Sequence, residues 1–134
     1  MNGGVNQEIS VKKPPESKIT KRGNYSLDCK THYYTSAVIG GSIINQTYIK
    51  ISEGHERDTL YINGNSAKYF GANYDVLQDD SFSLIIMRHY SISGLTEVVS
   101  INKESGIGFD TKTLLTGFSG APNSDTYILN CTEI

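Results

Sequence analysis

The sequence predicts an all-β domain: an antiparallel meander barrel of about eight strands or, as the alternative fold, a β-sandwich. Three observations carry this reading. Nine tyrosines and no tryptophan in 134 residues, with only 19% charged residues, suit pleated and half-buried surfaces. Turn signals recur about every 8–12 residues, and no helical spacing of apolar residues persists for about a dozen positions. The only two cysteines sit in matching segments, Tyr25-Ser26-Leu27-Asp28-Cys29 and Tyr127-Ile128-Leu129-Asn130-Cys131. Alternate residues of a strand share a face, so Tyr, Leu and Cys of each segment point one way. Side by side, the two segments bring their sulfurs into bonding range. A Cys29–Cys131 disulfide is therefore expected between the first and last strands, and closing the sheet there removes two exposed edges. The other reading, two buried thiols in a reducing compartment, leaves the matched ends unexplained.

Residues 1–23 read as a flexible polar and basic tail. They hold five basic and two acidic residues, +3 of a chain that totals −2, which leaves −5 for residues 24–134. Gly3-Gly4 and Pro14-Pro15 break the segment, and it has no periodic apolar face with which to offset its ordering entropy. A single barrel domain is expected over 24–134. Tyr25, Leu27 and Cys29 begin its first strand, which Tyr33-Tyr34 to Ile39 continue or follow, and Gly40-Gly41 marks a turn. Residues 42–52 are rich in β-branched side chains and form the next strand. A charged turn over 53–57 leads to Leu60 and Ile62, and Asn63-Gly64 is the strongest hairpin signal in the chain. Ala67 to Phe70 is the returning strand. Tyr69 to Leu77 has a weak helical spacing, and Asp79-Asp80 reads as a solvated turn.

Residues 81–92 give the clearest alternation, with Phe82, Leu84, Ile86, Tyr90 and Ile92 on one face, interrupted by Arg88. Gly94 turns the chain into Leu95–Ile101, and 102–106 is a further turn. Gly108 to Leu115 forms another strand, with Gly108 marking a bulge. A loop over 117–124 precedes the closing strand.

No catalytic or metal signature stands out. His32 and His89 fall within strands, and His55 lies in a mixed-charge turn without the three or four spaced ligands of a zinc site. No Gly-x-Ser-x-Gly elbow occurs; Ser119 in its glycine-flanked loop comes nearest. No metal and no cofactor are expected. The net charge of −2 gives no footing for nucleic acid, and no run of about 18 apolar residues spans a membrane. Three Asn-x-Ser/Thr triplets, at Asn24, Asn45 and Asn130, occur as often as chance allows. Arg88 admits two readings: a stem laid over the core with a wet head, or a charged group at a barrel mouth that orients an anionic ligand. Asn65, Lys68, Tyr69, Phe70 and Tyr74 gather between two turn signals and form the candidate binding surface, since aromatics there give contact area with few rotors to freeze. The competing reading makes Tyr69 and Phe70 alternate residues of an ordinary return strand.

The Tyr25-x-Leu27-x-Cys29 start and the chain-ending Cys131 resemble the layout of exported bacterial lysozyme inhibitors and other small periplasmic β-barrel proteins. Asn65-Ser66-Ala67-Lys68-Tyr69 is loosely similar to the Ser-Gly-x-x-Tyr inhibitory loop of those inhibitors, with the glycine missing after the serine. The resemblance implies an exported, non-enzymatic domain that binds a protein partner, as an inhibitor or in a structural role of the envelope. The alternative is a calycin-like barrel holding a small apolar or anionic ligand. A disulfide also requires an oxidising compartment. Met1-Asn2-Gly3-Gly4 lacks the basic start and apolar run of a signal peptide, so a mature form is expected. A polar tail ahead of such a domain is also the spacer of a tethered lipoprotein, with its lipid upstream of residue 1.

Overall fold

The computed structural model describes residues 18–39, 47–115 and 122–134. Among them are nine antiparallel strands and no helix: β1 (Asn24–Ile39), β2 (Thr47–Glu53), β3 (Arg57–Asn63), β4 (Ser66–Tyr69), β5 (Ala72–Asp79), β6 (Ser83–Tyr90), β7 (Leu95–Asn102), β8 (Ile107–Leu114) and β9 (Asn123–Glu133). Accordingly, no helix among these residues is long and apolar enough to cross a membrane. The strands follow one another around a single sheet, and β9 pairs back onto β1, so eight strands close a barrel while β2 stands outside the ring. Cys29 and Cys131 face each other in the β1–β9 register and are joined by a disulfide.

The long β1 changes partners half-way. Asn24–Lys30 pair with β3, and Tyr33–Ile39 pair with β2. The switch coincides with an extra residue, His32, in the β1–β9 ladder. Gly54 fits against this point because it has no side chain: a Cβ there would fall 2.4 Å from the Thr31 methyl. A second irregularity leaves Leu77 of β5 without a partner on β6. Gly108, expected at a bulge, sits in a regular ladder. It is required instead by close approach, since a Cβ would lie 2.3 Å from the Ser100 carbonyl oxygen. The expected hairpin forms between β3 and β4, with Gly64 and Asn65, not Asn63 and Gly64, between the paired Asn63 and Ser66. Residues 72–77, where a weak helical spacing was expected, are strand β5. The barrel's return pairing outweighs that local spacing.

Leu27, Leu60, Leu84, Ile86, Val99, Ile101 and Leu129 fill the lower barrel and are buried. Each such side chain contributes roughly 1.5–3 kcal/mol through burial. Phe82 and Ile92 lie beyond the ends of β6 and are exposed, so the inward face of that strand is shorter than its pattern suggests.

The lower end is sealed by residues assigned above to the tail. Ile19 is 1% exposed within the core, and its N–H donates to the Lys103 carbonyl at 2.7 Å. The Thr20 N–H donates to the Glu133 carboxylate, and the Lys21 carbonyl accepts from Lys103 Nζ at 2.8 Å. The packed domain therefore begins by residue 18, not residue 24; residues 1–17 lie outside the described part. One isolated isoleucine gives no periodic signal, yet it suffices to stopper a barrel end. Asp79 is likewise no solvated turn residue. It lies within 2.6 Å of Lys103 Nζ and accepts hydrogen bonds from the Tyr25 hydroxyl and the Gly23 N–H, both at 2.9 Å. Burial pushes its carboxyl pKa up, but these hydrogen bonds outweigh burial and hold it below the usual range.

Candidate ligand-binding site

Strand parity decides what lines the barrel. Alternate residues point inward: Leu84, Ile86 and Arg88 on β6; Ile101, Val99 and Glu97 on β7; Gly108 and Asp110 on β8; Cys131, Leu129 and Tyr127 on β9. On each strand the small or aliphatic run ends and a polar side chain takes the next inward position. Above that change lies a cavity of about 290 Å³. The walls differ in height. β6 to β9 and β1 run on upward, whereas β4 ends at Tyr69 and β5 starts at Ala72, so the cavity is a cup with a low lip. Phe70 stands on that lip. Thr31 and Glu56 edge the cup where β1 meets β3, tied together by the Thr31 N–H donating to the Glu56 carbonyl at 2.8 Å.

Four of the lining groups form one network. Arg88 Nε donates to Glu97 Oε1 at 2.7 Å, and its guanidinium lies over the rings of Tyr74 and Tyr90, at 5.4 and 5.5 Å from their centroids. The Tyr74 hydroxyl and the Asp110 carboxyl also hydrogen-bond to Glu97. Two buried carboxyls in contact cannot both be charged cheaply, so they hold one proton between them. Burial, then the bond to Glu97 and its charge, push Asp110 up to about 9, against the pull of Lys112 and Arg88. Burial acts upward on Glu97 as well, but hydrogen bonds from Asp110, Arg88 and Tyr74 prevail and hold it below the usual range. Asp110 is thus the acid and Glu97 the carboxylate. Burial, and then the nearby carboxylates, also raise the Tyr69 and Tyr74 hydroxyls, which keep their protons.

The network is incomplete. Asp110 Oδ1 and the Tyr69 hydroxyl are buried and have no hydrogen-bond partner among the described residues. Asp110 is 6% exposed and Tyr69 is 1% exposed, and both line the cup. A buried polar group without a partner costs about 1–3 kcal/mol, so two at one cavity are a cost that folding alone does not explain.

The lip carries a second cost. Phe70 and Gly71 are the central residues of the β4–β5 turn, and both have positive φ, 49° and 76°. That is the type I′ pattern, which favours Asn-Gly, and phenylalanine is strained there. The strain is held by the Asp58 carboxylate, which accepts the Phe70 N–H at 2.6 Å, and by edge-on packing against the Tyr69 ring at 4.6 Å.

Asp110 predicts a pH dependence. Its folded carboxyl keeps the proton up to about pH 9, whereas the unfolded chain loses it near pH 4, about the ordinary value. Between these limits the unfolded state binds fewer protons, so stability declines as pH rises, by at most about 1.4 kcal/mol per pH unit. Asparagine imitates the protonated acid and has no such slope. The melting temperature of Asp110→Asn relative to the natural chain is therefore expected to climb steadily from about pH 5 to about pH 8. A difference that stays flat would mean that Asp110 is ionised in the folded protein.

Of the residues singled out from sequence, Tyr69, Phe70, Tyr74 and Arg88 meet on this cup. Tyr69 and Tyr74 face inward, at 1% and 5% exposure, and only Phe70 is open, at 50%, so there is no three-ring surface patch. Asn65 and Lys68 are exposed and lie away from the cup. Ser66–Tyr69, the segment similar to an inhibitory loop, is strand β4 itself. Ser119 falls outside the described residues, and among those described no group of His, Cys, Asp and Glu could hold a metal ion. Glu97 and Asp110 were missed. No protein-family model, curated protein or solved structure matches the chain.

Proposed function

We propose that the protein is a non-enzymatic binding barrel that holds a small polar ligand with a flat apolar part in the cup above its aliphatic core. One observation carries this reading: the inward faces turn polar at the upper end and leave two buried, unpartnered hydrogen-bonding groups on an open cavity. A barrel built for stability alone would continue its aliphatic layers to the top. The disulfide is compatible with an oxidising, exported location, which suits a carrier or sensor in the envelope.

The test is an NMR titration of the labelled protein with three probes of similar shape: benzylammonium, benzyl alcohol and benzoate. At least one is expected to give saturable shifts centred on the amides of Tyr69, Phe70 and Asp110. Unsaturable or scattered shifts from all three would defeat the proposal.

A protein partner is the second reading. It is favoured by β2, which pairs only with β1 among the described residues and offers an open edge with Ile51 exposed. Such an edge accepts an added strand.

A further inference from the structure

Building on the proposed ligand cup, we infer that its occupant is a small organic cation: an ammonium group that donates to Asp110 Oδ1 and the Tyr69 hydroxyl, on a flat body resting against Phe70 and Tyr127. The free groups set the polarity. Asp110 donates its own proton to Glu97, so its other oxygen is left as an acceptor and calls for a donor. The Tyr69 hydroxyl, likewise unpartnered on a residue that lines the cup, serves as a second acceptor.

The charges around Asp110 point the same way. Arg88, the cation that could attract an anion, is engaged by Glu97 and covered by the Tyr74 and Tyr90 rings. Lys112 stands directly across from Glu97 in the β7–β8 register. Glu56 adds a further carboxylate at the rim. With Asp110 protonated, these groups sum to zero: Glu56 and Glu97 against Arg88 and Lys112. An anion would find Arg88 already paired and, besides Lys112, would face the Glu56 and Glu97 carboxylates and the bare acceptor Oδ1 of Asp110. A cation needs only the proton that Asp110 already holds.

An arriving ammonium favours the ionised form of Asp110, so the Asp110 O–H bond breaks and that proton passes to water. The carboxylate left behind pairs with the ammonium, and charge in the cup returns to zero. Uptake of one cation is therefore coupled to release of up to one proton. The aromatic faces add to the attraction, because tyrosine and phenylalanine rings present negative quadrupole faces to a cation.

Calorimetry of the full chain with the same three probes, near neutral pH in phosphate and in Tris, tests this. Benzylammonium is expected to bind about tenfold tighter than benzyl alcohol, the factor that a modest charge-assisted hydrogen bond supplies. Its heat should differ between the two buffers by the signature of proton release, while that of benzyl alcohol should not. Asp110→Asn should abolish the buffer dependence and the preference. If that variant fails to fold, Tyr69→Phe should weaken benzylammonium binding and leave proton release in place. Saturable binding without preference for the ammonium, tighter binding of benzoate, or ammonium binding without proton release would overturn the inference and leave the ligand cup standing. No saturable binding of any probe would remove both.

Discussion

Asp79→Ala is expected to lower the melting temperature by roughly 10–20 °C, the largest effect of any single substitution considered. Its cause lies in what remains behind. Lys103 is 1% exposed, with its ammonium held by the Asp79 carboxylate and the Lys21 carbonyl. Removing the carboxylate leaves a buried charge with one neutral partner, a defect that costs about 3–5 kcal/mol. At roughly 3–5 °C per kcal/mol for a domain of this size, that gives the stated shift. The double variant Asp79→Leu/Lys103→Met separates this cause from general damage. With both charges gone no ion is stranded, so the double variant should recover part of the lost stability, the rest being the acceptor that the Tyr25 hydroxyl and the Gly23 N–H still lack. A double variant as unstable as Asp79→Ala would show that the ion pair is not what holds the lower end.

The second expected result concerns the disulfide. Cys29 and Cys131 are separated by 102 residues, and in the loop-entropy account a crosslink of that span contributes about 4–5 kcal/mol by restricting the unfolded chain. Cys29→Ala/Cys131→Ala should lower the free energy of unfolding by about that amount and move the urea midpoint down with it, with an m-value that rises as the unfolded chain expands. An unchanged midpoint would mean that the ladder between β1 and β9 carries closure without the covalent link.

The closure was legible because it was written twice, in two Tyr-x-Leu-x-Cys segments whose parity agrees. Arg88 was legible as an anomaly on an apolar face, and that anomaly pointed at the cup. Its partner could have been found by the same parity: Glu97 shares a face with Val99 and Ile101, and an inward arginine needs an inward carboxylate nearby. Thr96 and Val98 on either side blur the alternation and hid it. Asp110 was harder. Ile107 and Phe109 are the apolar residues in the first half of β8, so the local pattern argues for the opposite face, yet both are exposed and Gly108 and Asp110 turn inward. Register with β7 decides that orientation, and register is a property of two strands, not one. Ile19 failed for a related reason: a single apolar residue in a polar segment has no period, and only the open barrel end gives it a place.

The pairing of β1 with β9 also sets an order of events. Every other neighbouring pair in the ring is closer in sequence, with β3 to β9 following one another directly and β2 lying between β1 and β3, and can form as the chain lengthens. The β1–β3 ladder and the successive hairpins from β3 to β8 therefore assemble into a curled ribbon with both margins open. The ring cannot shut until residues 123–133 are present, because no earlier segment supplies the matching ladder. Closing a loop of this length is the slow, entropically costly step, and it leaves the ribbon's edges exposed in the meantime. A chain built this way stays incompletely folded until its last strand is delivered.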